Sequence, residues 1–192
     1  MHPEWHNGPV ASFGDNSARL LIVGLAPGLK GANRTGRPFT GDYAGDLLYA
    51  TMLEFGFATG VYDARPDDTL AMRDALVSNA VRCVPPANKP ESFEIATCRQ
   101  FLVRTMDALP SLCAILVLGR IAHDSAVRAL NEPLVRFPFA HGREHIVARP
   151  DKQLALFDSY HCSRYNTNTG VLTVDMFRAV FARIRAYLDA SA

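Results

Sequence analysis

The sequence predicts a three-layer α/β/α sandwich around a central, mostly parallel sheet. Two observations carry that expectation. Short apolar runs, too brief for helices, alternate along the chain with longer segments whose apolar residues recur at helical spacing. Three loops rich in glycine, proline and asparagine then follow the ends of predicted strands, where open α/β folds place their ligands.

The elements follow in order. RLLIVG (19–24) reads as a strand buried on both faces. GLAPGLKGANRTGRPFTGD, Gly24 to Asp42, is a loop of nineteen residues with five glycines and two prolines. GDLLYATMLEFGF (45–57) has helical spacing and stops near Gly56. TLAMRDALVSNAVRC (69–83) turns into a second strand near Ala75–Val81. VPPANKPES (84–92) is a loop, because its prolines sustain no ladder. A helix over 92–109 is expected, with Ser92 as N-cap. CAILVLG (113–119) is a strand and RIAHDSAVRAL (120–130) a helix. Two further strands are predicted at 142–150 and 154–161, and a last helix at 173–188 with Phe177, Val180, Phe181, Ile184 and Leu188 on one stripe. No repeat or linker divides the chain, so residues 1–192 are expected to form a single domain.

Composition narrows the function. Apolar residues make up 48%, ordinary for a globular protein, and no run suits a membrane span or a signal peptide. The expected location is the cytoplasm, at a bacterial-type nucleoid. A net charge of +1 announces no large nucleic-acid surface but leaves room for a local patch. Four cysteines (Cys83, Cys98, Cys113, Cys162) read as reduced thiols. The glycine-rich loop fails the Walker A pattern, because Gly31 follows Lys30, and fails the dinucleotide fingerprint at Ala26. What remains is a backbone suited to close approach by an anionic ligand, carrying Lys30, Arg34 and Arg37. The three site loops are then Gly24–Asp42, Val84–Pro90 and His161–Gly170. His123, His141 and His145 read as core or surface polar residues, and no spacing suggests a metal site.

The first loop, with NAVRCVPPANKP and SYHCSRYNTNTG, resembles the uracil-DNA glycosylase superfamily, and its family 5 branch above all. The resemblance implies a four-stranded parallel core. It implies a DNA repair enzyme of base excision repair, a monofunctional glycosidase that flips uracil, and other deaminated bases, out of DNA. Hydrolysis of the N-glycosyl bond would leave an abasic site. A non-catalytic binder of uracil or abasic sites is the alternative, and an unrelated nucleotide-binding enzyme is the weakest reading. Expected partners are damaged DNA and its abasic product; the expected state is a monomer.

By the same resemblance, His161 would donate to uracil O2 and Asn79 would read the Watson–Crick edge. Phe39 would stack on the base, and the backbone at Gly24–Ala26 would supply donors. Ala26 stands where many relatives carry a carboxylate, an absence that family 5 shares. Asn33 falls where the family handles the nucleophilic water, with Asp42 as second choice; a helix N-terminal charge is the competing role for Asp42. Gly28 replaces a tyrosine that blocks the thymine methyl, which implies a permissive pocket. Arg164 and Tyr165 would fill the gap left by the flipped nucleotide, with Asn166 on the backbone. Lys30, Arg34, Arg37, Lys89 and Arg164 would meet phosphates. Only Cys83 and Cys98 match the positions of iron–sulfur ligands in the family, so no cluster is expected.

Overall fold

A computed structural model describes residues 2–149 and 152–191. Its main sheet has six strands: β1 (Phe13–Gly14), β2 (Leu20–Gly24), β5 (Ala75–Asn79), β6 (Ala114–Leu118), β7 (Glu144–Ala148) and β8 (Gln153–Ser159). Their order is β1-β5-β2-β6-β8-β7. The four inner strands are parallel, with Leu20 facing both Ala75 and Ala114 across the ladder. β1 and β7 close the two edges antiparallel. The implied four-stranded parallel core is present, and the two edge strands are additional. β1 is only two residues long, so no alternation in the sequence could announce it. The predicted strand at 142–150 shortens to β7, and Pro150 lies outside the described residues.

The helices are α1 (Ala32–Thr35), α2 (Tyr43–Glu54), α3 (Ser92–Asp107), α4 (Arg120–Ala129), α5 (Arg164–Asn168) and α6 (Val174–Ala190). Alternate strand residues serve opposite faces, as the pleat requires. Leu20 and Ile22 join Leu48, Met52, Phe177 and Phe181 under α2 and α6. Leu21 and Val23 join Leu102, Met106 and Ala126 under α3 and α4. Every residue of β2, β5 and β6 is buried, and β2 and β6 accordingly read as unbroken apolar runs.

Three local expectations change. Glu91, not Ser92, is the N-cap of α3, and the Glu94 carboxylate accepts from the Glu91 amide at 2.7 Å. The turn before β5 is a small hairpin, β3 (Ala58–Thr59) against β4 (Ala71–Met72). The glycine-rich loop also contains α1.

The chain runs from β2 outward to β5 and then crosses back past β2 to β6. The crossovers leave on opposite faces, so a crevice opens at the carboxyl ends of β2 and β6. The ends of β5 and β8 flank it.

Candidate active site

A cleft of about 550 Å³ occupies that crevice. Its walls come from the loop after β2, from Asn79 at the end of β5, and from His161 and Ser163 beyond β8. Gly24 ends β2, and a side chain there would collide with the Phe39 ring and the Asn79 carboxamide. Glycine is therefore a packing requirement that lets the aromatic ring lie on the strand end. The Phe39 ring stacks beside that of His161, with centroids 6.1 Å apart and planes 28° apart.

Asn79 is buried, and its Oδ1 has no partner. Buried polar atoms are nearly always satisfied, so an orphan facing a cleft marks a place for a ligand donor. Burial pushes the His161 imidazole down to about 4, so it stays neutral at physiological pH with one N–H to give. The Asn166 amide donates to the His161 carbonyl at 2.8 Å. Gly119 adopts φ 96°, and a Cβ placed there would stand 3.4 Å from the His161 Cβ.

Asp42 serves two ends of its own carboxylate. Oδ1 accepts from the Gly45 amide at 3.2 Å and caps α2. Oδ2 lies against the loop, 3.2 Å from where a Cβ on Gly28 would stand, and a side chain at Gly31 would collide with it. Burial raises the Asp42 pKa, with the Gly45 and Ala44 amides pulling the other way. The helix-capping role expected of Asp42 is real, and it leaves the second oxygen beside the cleft.

Several predicted residues stand elsewhere. Asn33 is buried on α1, donates to the Asn7 carboxamide at 3.1 Å, and is not a cleft wall; Ala32 is. Arg37, expected at phosphates, is only 6% exposed and grips both Asp68 oxygens at 2.7 Å. A guanidinium so engaged offers nothing to DNA. Asn166 is committed to His161, not to the outer surface. Lys30, Arg34, Lys89 and Arg164 are exposed. Arg34 donates to the Lys30 carbonyl, and Arg164 lies 5.1 Å from the Tyr43 ring centroid. Tyr165 is 74% exposed on α5. Ala26, Gly28 and Lys30 are cleft walls.

Sequence reasoning passed over Arg120, exposed at the end of β6 next to Gly119, and Asn88, a cleft wall at φ 56°. The position of Arg120 directly after a strand ending in glycine was the available signal.

The thiols do not assemble a cluster site. Cys83 is exposed, Cys98 half-buried, and Cys162 fully buried, with its thiol donating to the Ala44 carbonyl. Cys113 faces the Ser111 carbonyl. The donor set does not fit a four-thiolate cluster. His123, His145 and Asp158 do come together, which their sequence spacing hid. His123 faces Asp158 Oδ1 through Nδ1 and the Phe137 carbonyl through Nε2, both at 2.7 Å. Both nitrogens meet acceptors, so protons on the His123 ring satisfy this group without a metal ion.

A family model described as the Uracil DNA glycosylase superfamily matches residues 11–185. The chain is 40% identical over 178 residues to a Type-5 uracil-DNA glycosylase of Thermus thermophilus, covering 93% of this chain and 79% of that one. It is 38% identical over 181 residues to one from Mycobacterium leprae, covering 93% and 77%. A Pyrobaculum aerophilum protein of the same description is 34% identical over 178 residues, covering 93% and 76%.

Proposed function

Because this chain belongs to the uracil-DNA glycosylase superfamily, we propose that it removes uracil from DNA by hydrolysing the N-glycosyl bond. The observation that carries the reading is the unpaired Asn79 Oδ1 facing the same cleft as a neutral His161 and the Phe39 ring. A flipped uracil lying on Phe39 offers N3–H to Asn79 Oδ1 and takes the Asn79 amide at O4. His161 donates to O2. Breaking the N1–C1′ bond places negative charge on the base and positive charge on the sugar. Neutral donors stabilise the departing anion without needing to transfer a proton.

Asp42 supplies the opposite charge. Among the cleft-lining residues it is the one carboxylate, and its ionised form stabilises the sugar cation and orients the attacking water. Asn33, facing Asn7, supports the loop instead. Lys30, Lys89, Arg164 and Arg120 form a rim for the flanking phosphates, and Tyr165 fills the vacated stack. The product is an abasic site, and the protein acts as a monomer in the cytoplasm; no helix among the described residues is long and apolar enough to cross a membrane. The cleft exceeds what one pyrimidine needs, and Gly28 adds no bulk, so hypoxanthine and xanthine are accepted as well.

The test is incubation with a uracil-containing duplex, followed by alkaline cleavage at abasic sites. Asp42→Asn is expected to slow single-turnover release by about 10²-fold or more, with Asn33→Ala far milder. Asn33→Ala abolishing release while Asp42→Asn leaves it intact would reverse the assignment.

A further inference from the structure

Phe39 is a bulky residue at φ 53°, a backbone region that L side chains avoid. Such a conformation persists only where surrounding structure over-determines it. Here both flanking carbonyls are held. The Tyr49 hydroxyl donates to the Pro38 carbonyl at 2.5 Å, and the Tyr62 hydroxyl donates to the Phe39 carbonyl at 3.2 Å. Arg37 reaches Thr40 Oγ1 at 2.8 Å while gripping Asp68 with its other two nitrogens. The guanidinium also lies 5.0 Å from the Phe13 ring centroid. Gly45 sits under the Phe39 carbonyl, where any side chain would collide.

Two of these supports share one segment outside the glycine-rich loop. Tyr62 and Asp68 belong to the excursion between β3 and β4. Asp68 orders that excursion too, accepting from the Asp63 and Leu70 amides at 2.9 and 3.1 Å. None of the excursion's residues lines the cleft.

We propose that Tyr62 and Asp68 are positioning residues for the Phe39 ring, clamping residue 39 in the left-handed conformation that lays the ring on Gly24 and beside His161. The catalytic consequence rests on the reading that a flipped base occupies the cleft. Released from the clamp, the backbone at 39 relaxes to negative φ and the ring leaves the strand end. The base then loses its platform while Asn79 and His161 stay in place.

The experiment has two arms on the full chain. In the first, ring-proton NMR signals of His161, assigned with His161→Gln, report the Phe39 ring current with no need of turnover. Tyr62→Phe is expected to move them part of the way toward their position in Phe39→Ala, and Tyr62→Phe with Asp68→Asn further. Unmoved signals in folded Tyr62→Phe would overturn the clamp, and that variant alone decides if Asp68→Asn does not fold. In the second arm, Tyr62→Phe slows single-turnover uracil release roughly tenfold in the wild-type background, as a misplaced contact does. It has no further effect in Phe39→Ala, because it acts through the ring. Equal slowing in both backgrounds would overturn the positioning role. If the wild-type protein releases no uracil, the glycosylase reading fails while the first arm still decides the clamp.

Discussion

Arg37–Asp68 supports the cleft from the side of β2 and α2; His123–Asp158 supports it from the side of β6 and β8. Both pairs are buried and both close at 2.7 Å. Their chemistry differs. The guanidinium is charged at every pH the protein meets, and its bonds hold the Asp68 carboxyl well below the usual carboxylate range. The imidazolium is conditional. Burial pushes the His123 pKa down, but the Asp158 carboxylate and the Phe137 carbonyl outweigh it, and the net shift is upward. One buried pair is thus fixed across neutral and alkaline pH while the other titrates.

The direction of the pH effect follows. The His123 pKa is raised on folding, so its stabilisation is complete below about 6.5, the ordinary value. It is lost as pH rises through the folded pKa. Asp68 is the reverse case: its contribution is present above the ordinary carboxylate range and fails only in strong acid. Asp158 stands three residues before His161 in the chain. The groups facing His123 are Asp158, Phe139, His145, the Phe137 carbonyl and the charge of Asp124.

The largest expected effect is at the permanent pair. Asp68→Ala leaves a buried guanidinium without its counter-ion, and destabilisation of about 3–5 kcal/mol is expected. Urea unfolding should show the same loss at pH 6 and pH 9. A loss that shrinks at the higher pH would mean that the two pairs do not differ as described.

His123→Gln comes next. It removes a donor from a buried carboxylate, with an expected cost of about 1–3 kcal/mol at pH 6. At pH 9 the wild-type protein has itself surrendered much of the ion pair, so the difference narrows. The wild-type unfolding free energy should fall from pH 6 to pH 9 relative to that of His123→Gln. Parallel curves would remove His123 as the titrating group.

This contrast marks how far the sequence could be read. β2 and β6 were legible because burial on both faces makes them apolar throughout, and α6 because its stripe is unbroken. Asn79 and His161 were legible as strand-end residues because they stand at or just past the ends of β5 and β8, whereas Phe39 was named only through the resemblance. Arg37 was not. Among loop cations, nothing local separates one that meets solvent from one that meets Asp68, 31 residues away. Asn33 likewise reads as a loop amide until α1 turns it toward Asn7. Asp158 reads as a polar residue near the end of a strand, and its two histidine partners arrive from α4 and β7, which no periodicity connects.

The smallest effect belongs to His145. Its Nε2 meets Asp158 Oδ2 at 3.3 Å, longer than the 2.7 Å contact of His123, and the Ala140 amide already donates to that oxygen at 3.2 Å. A long bond to an oxygen with a second donor contributes little, so His145→Gln should cost about 0.5–1 kcal/mol. The difference between the two histidines lies in their second nitrogen. His123 has an acceptor on each side and must be cationic to satisfy both, whereas one N–H satisfies the bond that His145 makes. His145→Gln should therefore lower stability slightly and leave its fall between pH 6 and pH 9 in place, the opposite of what His123→Gln does. Were His145→Gln to flatten the pH profile, the assignment of the pH dependence to His123 would fail.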